Sequence, residues 1–266
     1  MYQLEEYVNY GELGVCQITS VGKMPELDPK QVYYTIKPLD RPENTIFLPV
    51  EKADGSAYMR KIITREERTL DTLKDVVRVV YKVLRKTEKY MSIQYDYIDE
   101  ILPNEIFFVT TQELADMFPD YTPKEREYYI AKAKGAVCIM QIGDVLENGE
   151  RHDGRAPDYD DWALNADIVV YYPVLDIALE LSSMGIRVDS ESLRTQLEKS
   201  GCMDRAELPF QKAILNNELP FTIGGGIGQS RICMFFLKKA HIGEVQCSLW
   251  PDEVSEKAEK NGIHLL

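Results

Sequence analysis

Apolar positions change their period partway along the chain. Up to about residue 60 they alternate or fall in short β-branched and aromatic runs: "YVNYGELGVCQITSVGKM" around Gly11, Gly14 and Gly22, then "QVYYTIKPL" and "NTIFLPVEKA", divided by Pro and Asp. Side chains on a pleated strand point to alternate faces, so these runs predict closely spaced strands in a small curled sheet or barrel. From Thr69 the period lengthens. Leu70, Leu73, Val76, Val77, Val80, Val83 and Leu84 recur every three or four residues with charges between them, which predicts an amphipathic helix.

The remainder alternates helix and strand. Thr122, Pro123 and the glycine closing "KEREYYIAKAKG" supply an N-cap, a first-turn proline and a C-terminal stop. "AVCIMQI" reads as a strand and "ENGE" as a turn, while "ADIVVYYPVL" and "IALELSSMGIRV" read as two buried strands. A helix is expected from Ser190 to Gly201. "LPFTI" is expected as a strand, followed by a glycine loop, the helix "QSRICMFFLKKA" and a closing strand "EVQCSLW". The change of texture divides the chain into a β module, residues 1–62, and an α/β (α+β) unit with a mainly antiparallel sheet, residues 63–266.

Composition narrows the function. At 266 residues and 44% hydrophobic the chain can bury a core, and no apolar run approaches the length of a membrane-spanning helix. The N-terminus lacks a signal-peptide pattern, so a cytoplasmic location is expected. Cys16, Cys138, Cys202, Cys233 and Cys247 form no CxxC pair and are expected as reduced core thiols. Three histidines leave few ligands for a transition metal. A net charge of −13 opposes non-specific nucleic-acid binding.

Three segments carry candidate chemistry. In "FTIGGGIGQSRICMFF" four glycines within Gly224–Gly228 would let backbone N–H groups approach an anion ahead of a helix N-terminus. Arg231 stands where a dinucleotide fingerprint needs its third glycine, and Gln229 where a P-loop needs lysine, so both of those readings fail. With no carboxylate near it in sequence, Arg231 would add positive charge to the cradle. "RHDGRAPDYDDW" gathers Asp153, Asp158, Asp160 and Asp161 with Arg151 and Arg155, read either as a solvated turn or as a grip on an ammonium group or metal. In "ELSSMGIRVD" strand alternation puts Glu180, Ser182 and Met184 on one face and Leu181, Ser183 and Gly185 on the other. Glu180 is then either a Mg²⁺ ligand or the partner of Arg187.

"HDGRAPDYDDWALNADIVVYYPVLDIALELSSMGIRVD" and "TIGGGIGQSRICMFFLKKAHIGEVQCSLWP" resemble ammonia-dependent asparagine synthetase, the aspartate–ammonia ligase family, a relative of class II aminoacyl-tRNA synthetases. The resemblance runs from about residue 61 to the C-terminus and covers roughly the C-terminal three fifths of that enzyme. It implies a class II-like fold, with ATP, L-aspartate and ammonia converted to L-asparagine, AMP and pyrophosphate through a β-aspartyl adenylate, and Mg²⁺ as cofactor. It implies that Glu180 and Asp167 hold the metal and that Leu181, Ser182, Gly226 and Arg231 contact ATP. Asp160, Ser183, Arg187 and Gly224 would hold aspartate, with Arg187 and Arg231 as the catalytic arginines. In that family the dimerisation helix and a further ATP-binding arginine lie N-terminal to the resembling part, and residues 1–60 contain no substitute for them.

"YVNYGELGVCQITSVGKM", "VYYTIKPLDRPENTIFLPVEKA" and "MRKIITREE" resemble instead the CarD-like module, a Tudor-like β-barrel that contacts the RNA polymerase β subunit. Three readings follow: an asparagine synthetase by descent, a polymerase-binding regulator whose ligase part is a sensor or scaffold, or an inert recombinant. A homodimer is expected only if another element replaces the family's dimerisation helix.

Overall fold

The structure, a computed structural model, describes residues 2–53 and 59–266. The chain divides into two compact units, Met1–Arg65 with Glu218–Thr222, and Glu66–Asn217 with Ile223–Leu266.

In the first unit β1 (Tyr7–Tyr10), β2 (Val15–Met24), β3 (Asp28–Pro38), β4 (Ile46–Pro49) and β5 (Met59–Lys61) form one antiparallel sheet, with the short helix α1 (Val50–Ala53) after β4. The strand order is β4-β3-β2-β1-β5. Its core gathers Val8, Cys16, Ile18, Tyr34, Ile36, Ala53 and Met59. The expected barrel is an open sheet among the described residues, because the edge strands β4 and β5 do not pair with each other. Closure needs a continuous ladder between the two edges.

The second unit begins with α2 (Leu70–Gln94), whose N-cap Thr69 accepts a hydrogen bond from the Thr72 amide. Leu73, Val77, Tyr81 and Leu84 of α2 are buried against the sheet, each burial worth roughly 1.5–3 kcal/mol for the aliphatic side chains. Val83, placed with them by the period, is exposed on the helix. Then come β6 (Phe107–Thr110), α3 (Thr111–Met117), α4 (Pro123–Lys134), β7 (Ala136–Met140), β8 (Asp160–Tyr172), β9 (Ile177–Arg187) and α5 (Ser190–Lys199). α6 (Pro209–Leu215), β10 (Ile223–Ile227), α7 (Gln229–Phe236) and α8 (Asp252–Lys260) complete it. The α4 helix has the signals read from sequence: a Thr122 capping box, Pro123 in its first turn, and Gly135 at the C-cap with φ 78°.

The sheet order is β10-β9-β8-β7-β6, antiparallel except for the parallel pair β6–β7. One face carries Cys138, Met140, Ala166, Ile168, Val170, Leu179, Leu181 and Met184, covered by α2 and by Met234, Phe235 and Phe236 of α7. The opposite face is roofed by α3 and α4, where Val137, Ile139 and Val169, with Tyr171 of β8 and Ala178 of β9 beside them, pack with Leu114 of α3 and Ile130 of α4. Where β8, β9 and β10 continue past that roof, the open face holds polar side chains.

Three expectations change here. "LPFTI" is not a strand and the glycines are not a loop: they form β10, "IGGGI", paired in register with β9. "EVQCSLW" is not a strand: its first residue, Glu244, closes a short 3₁₀ turn that begins at Ile242, and the rest is irregular chain. Cys16 and Cys138 are buried thiols as expected, whereas Cys233 and Cys247 are exposed.

Candidate functional site

A bulge decides what the open face presents. β8 pairs Asp167 with Ser183 and Ile168 with Ser182, but Val169 pairs with Glu180, so Leu181 is the extra residue. One extra residue shifts every later side chain to the other face. Strict alternation would send Glu180 to the side of Ser182 and Met184; the bulge returns it to the side of Asp167 and Ser183. Leu181 points into the α2–α7 core instead, only 1% exposed.

β10 extends the face by one strand, with Gly226 opposite Ser183 and Gly224 opposite Gly185. None of Gly224, Gly225, Gly226 and Gly228 has positive φ, so these glycines answer a need for space rather than for a special backbone angle. A Cβ on Gly224 would lie 2.7 Å from Nη2 of Arg187, and one on Gly225 would lie 2.6 Å from the Met184 Cβ. On Gly226 it would meet nothing within 4 Å. The strand is bare where the face opens. On the buried side Ser182 donates from Oγ to the Gly226 carbonyl at 3.0 Å, fixing β10 to β9.

Charged groups on this face come in opposed pairs. Arg231, in the first turn of α7, places Nη1 3.2 Å from Oε1 of Glu180 and donates to the Glu180 carbonyl at 3.2 Å. The partner that Arg231 lacks in sequence is therefore Glu180, and Arg187 turns elsewhere: it is ion-paired with Asp160, its Nη2 donates to the Tyr159 hydroxyl at 3.0 Å, and its guanidinium carbon lies 3.9 Å from the Tyr159 ring centroid. Asp167 is ion-paired with Arg155. Burial, opposed by Arg155 and reinforced by the charge of Glu180, pushes the Asp167 carboxyl up to about 6. Burial also raises Asp160 despite its pairing with Arg187. Gly154, Arg155, Tyr159, Asp160, Ser183 and Arg187, with Gly225 and Gly226, line a cavity of about 350 Å³.

Several contributors were not read from the sequence. Arg68 is nearly enclosed, its side chain 6% exposed, and reaches Asp161 at 3.1 Å, Asp189 at 3.3 Å and the Arg187 carbonyl at 2.7 Å. A long bulge in β8 between Asp160 and Asn165 turns Asp161 toward it. His152 is buried with Nε2 3.1 Å from Glu127 Oε1, and its Nδ1 has no hydrogen-bond partner. His152 and Glu127 border Asp167 and Glu180 around a space of about 10 Å³, the size of one water. Tyr159 lies inside the aspartate-rich segment "RHDGRAPDYDDW", where nothing local marks it as the platform of Arg187. Arg68 precedes α2 and had no local pattern to mark it.

Asp167 and Glu180 suit a hard dication. They are oxygen donors on one face, and the charge of Glu180 raises the cost of ionising Asp167, a cost that a bound cation removes. Among the described residues no group of three or more acidic, histidine or cysteine side chains is placed to hold a metal ion, so any metal here would draw its remaining oxygens from water or substrate.

The fold and site describe an α+β protein whose mainly antiparallel sheet carries paired arginines and carboxylates on an open face, around a cavity of about 350 Å³. Similar solved structures are synthetases: the aspartyl tRNA synthetase from Entamoeba histolytica, with TM-score 0.49 and 15% identity over 85% of this chain and 46% of that chain, and the asparaginyl-tRNA synthetase of the same organism, with TM-score 0.45 and 12% identity over 85% and 49%. The chain belongs to the aspartate–ammonia ligase family, whose sequence model matches residues 57–262. Over 206 residues it is 61% identical to the aspartate–ammonia ligase of Ruminiclostridium cellulolyticum, covering 77% of this chain and 61% of that protein. It is 55% identical to that of Clostridium tetani over 84% of this chain and 64% of that protein. The chain thus spans about three fifths of the length of these relatives. Residues 2–63 match the CarD-like/TRCF RID domain. No helix among the described residues is long and apolar enough to cross a membrane.

Proposed function

We propose that the open sheet face is the aspartate- and nucleotide-binding part of an aspartate–ammonia ligase site, serving the ATP-dependent joining of L-aspartate and ammonia. The observation that supports this best is the convergence of Asp160, Asp167, Glu180, Ser183 and Arg187 beside bare Gly226, with Arg231 at the margin.

Each residue has a role that its chemistry suits. Arg187, stacked on Tyr159 and braced by Asp160, presents a planar fork to a substrate carboxylate, and Asp160 offers the opposite charge to an α-ammonium group. Ser183 adds a hydroxyl between them. Gly224 leaves room for the Arg187 guanidinium, and Gly226 leaves room for the nucleotide on the other side. Arg231 stabilises negative charge on the phosphates as the β-carboxylate attacks, leaving its contact with Glu180 to do so. Leu181 through its carbonyl and Ser182 through its hydroxyl hold β10 against β9: the Leu181 carbonyl accepts from the Gly228 amide at 2.9 Å, and Ser182 Oγ donates to the Gly226 carbonyl at 3.0 Å. Mg²⁺ held by Asp167 and Glu180 would neutralise phosphate charge.

Titration calorimetry with Mg·ATP and then L-aspartate tests the reading. Binding of both, with nucleotide lost on Arg231→Ala and aspartate lost on Arg187→Ala, is the expected result. Undiminished binding in both variants removes the site from this face.

The β module supports a second role. Its match to the CarD-like/TRCF RID domain and its compact five-stranded sheet favour contact with the RNA polymerase β subunit. Retention of purified polymerase by the immobilised chain is expected, and no retention above a chain with that module scrambled would end this reading.

A further inference from the structure

A second cavity lies away from the open face. It measures about 780 Å³ and is formed by α2 and the segment leading into β6, with Glu100 and Glu105 on the segment side and Ile106 and Phe108 at its base. Its α2 wall is cationic: Arg78, Lys82, Arg85, Lys86 and Lys89. At about 100° per residue these five fall within an arc of about 100°, and they run roughly 16 Å along the helix. Within a chain of net charge −13 this is a local reversal of sign.

The arrangement works against helix stability. Arg78 with Lys82, Lys82 with Lys86, and Arg85 with Lys89 are like charges four residues apart, which repel along a helix. Asp75, on Arg78 at 2.7 Å, relieves one end. Glu88 is turned inward, accepting from the Ile101 amide at 2.9 Å and the Leu102 amide at 3.1 Å, so it shields no lysine. Two arginines are fixed in place: Arg85 donates to the Asn104 carbonyl at 3.2 Å and to its Oδ1 at 2.7 Å, and Arg78 lies 5.1 Å from the Phe108 ring centroid. Lys82, Lys86 and Lys89 are exposed.

We propose that this groove binds a small anion carrying several linked phosphates, with Arg85 and Arg78 as fixed contacts and Lys82, Lys86 and Lys89 as mobile ones. The volume lies in the range of small-molecule sites, and serial cations along a helix match serial phosphates better than a single carboxylate. The acidic remainder of the chain disfavours a long nucleic-acid strand, whose phosphates extend beyond the groove. Linked phosphates are shared by inorganic oligophosphate and by nucleoside polyphosphates.

The test is calorimetric titration of the full chain with inorganic tripolyphosphate, with a nucleoside triphosphate, and with a short single-stranded oligonucleotide, at low and moderate salt. Expected is tripolyphosphate binding that weakens with salt, falls about 10- to 100-fold in the triple variant Lys82→Gln/Lys86→Gln/Lys89→Gln, and persists in Arg231→Ala. Tighter binding of the nucleoside triphosphate, retained in Arg231→Ala, would identify the nucleoside form as the preferred source. Glutamine keeps helix propensity at these exposed positions, and unchanged circular dichroism checks the fold. No tripolyphosphate binding, binding indifferent to the triple variant, or binding lost in Arg231→Ala overturns the proposal. So does a preference for the oligonucleotide.

Discussion

The guanidinium of Arg187 occupies the space that a side chain on Gly224 would need, with Nη2 2.7 Å from the position of the absent Cβ. That contact separates three adjacent glycines by function. Gly224→Ala meets the far end of a flexible side chain, so it should cost less than about 1 kcal/mol in stability while displacing Arg187 and weakening aspartate binding. Gly225→Ala meets the Met184 Cβ at 2.6 Å and the Ser183 carbonyl at 2.8 Å, so it should destabilise by about 1–3 kcal/mol. Gly226→Ala should leave stability unchanged and reduce nucleotide binding alone. Urea denaturation and titration of the three variants check the order.

Asp167 sets a pH dependence. Its carboxyl sits near 6 in the folded chain against 3.8 as its ordinary value, so between those limits the folded state binds the extra proton. Stability from this group is therefore greatest below about pH 4, declines as pH rises, and is fully lost above about pH 6. Asp167→Asn should stabilise the fold at pH 7.5 by at most about 3 kcal/mol, and raise the melting temperature accordingly, and the gain should vanish below pH 4. Melting curves at four pH values decide this.

The Mg²⁺ site proposed at Asp167 and Glu180 needs Asp167 ionised. The stabilisation that Mg²⁺ gives the nucleotide-free chain should grow as pH rises toward 6 and level off above it, and should be absent in Glu180→Gln. A pH-independent Mg²⁺ effect would place the ion elsewhere.

Removing Arg68 leaves Asp161 and Asp189 without their shared cation. Burial already raises the Asp161 carboxyl, so Arg68→Ala should destabilise by about 3–5 kcal/mol. Because Arg68 also holds the Arg187 carbonyl, aspartate affinity should fall with it. Denaturation and calorimetry on this variant check both effects, and Arg68→Lys should recover part of the stability only.

In a turnover assay with labelled aspartate, ATP, Mg²⁺ and ammonium, we expect the 266-residue chain alone to form asparagine at least ~10⁴-fold more slowly than the Ruminiclostridium cellulolyticum relative. The resemblance locates further site groups in a part that precedes residue 61 in that family, and each lost donor costs ~10²–10³. Rapid turnover abolished by Glu180→Gln would reverse that expectation.

The sequence determined the local elements wherever short-range signals agree: the Thr122–Pro123–Gly135 frame of α4, the apolar period of α2, and β7, β8 and β9 as long apolar strands. It also marked segments that build the open face, the glycines before Arg231, the aspartates of "RHDGRAPDYDDW" and the charged strand "ELSSMGIRVD", while leaving a plain turn or ion pair open as the alternative for each. Three matters were decided only by tertiary structure. Strand alternation is exact until a residue is inserted, and the bulge at Leu181, visible only against β8, is what brings Glu180 to Asp167. Glycines without positive φ carry no turn signal, so β10 became a strand through its ladder with β9 rather than by propensity. Ion pairs join residues far apart in the chain, Arg231 with Glu180 and Arg68 with Asp161 and Asp189, because burial penalises a lone charge wherever its partner lies in sequence.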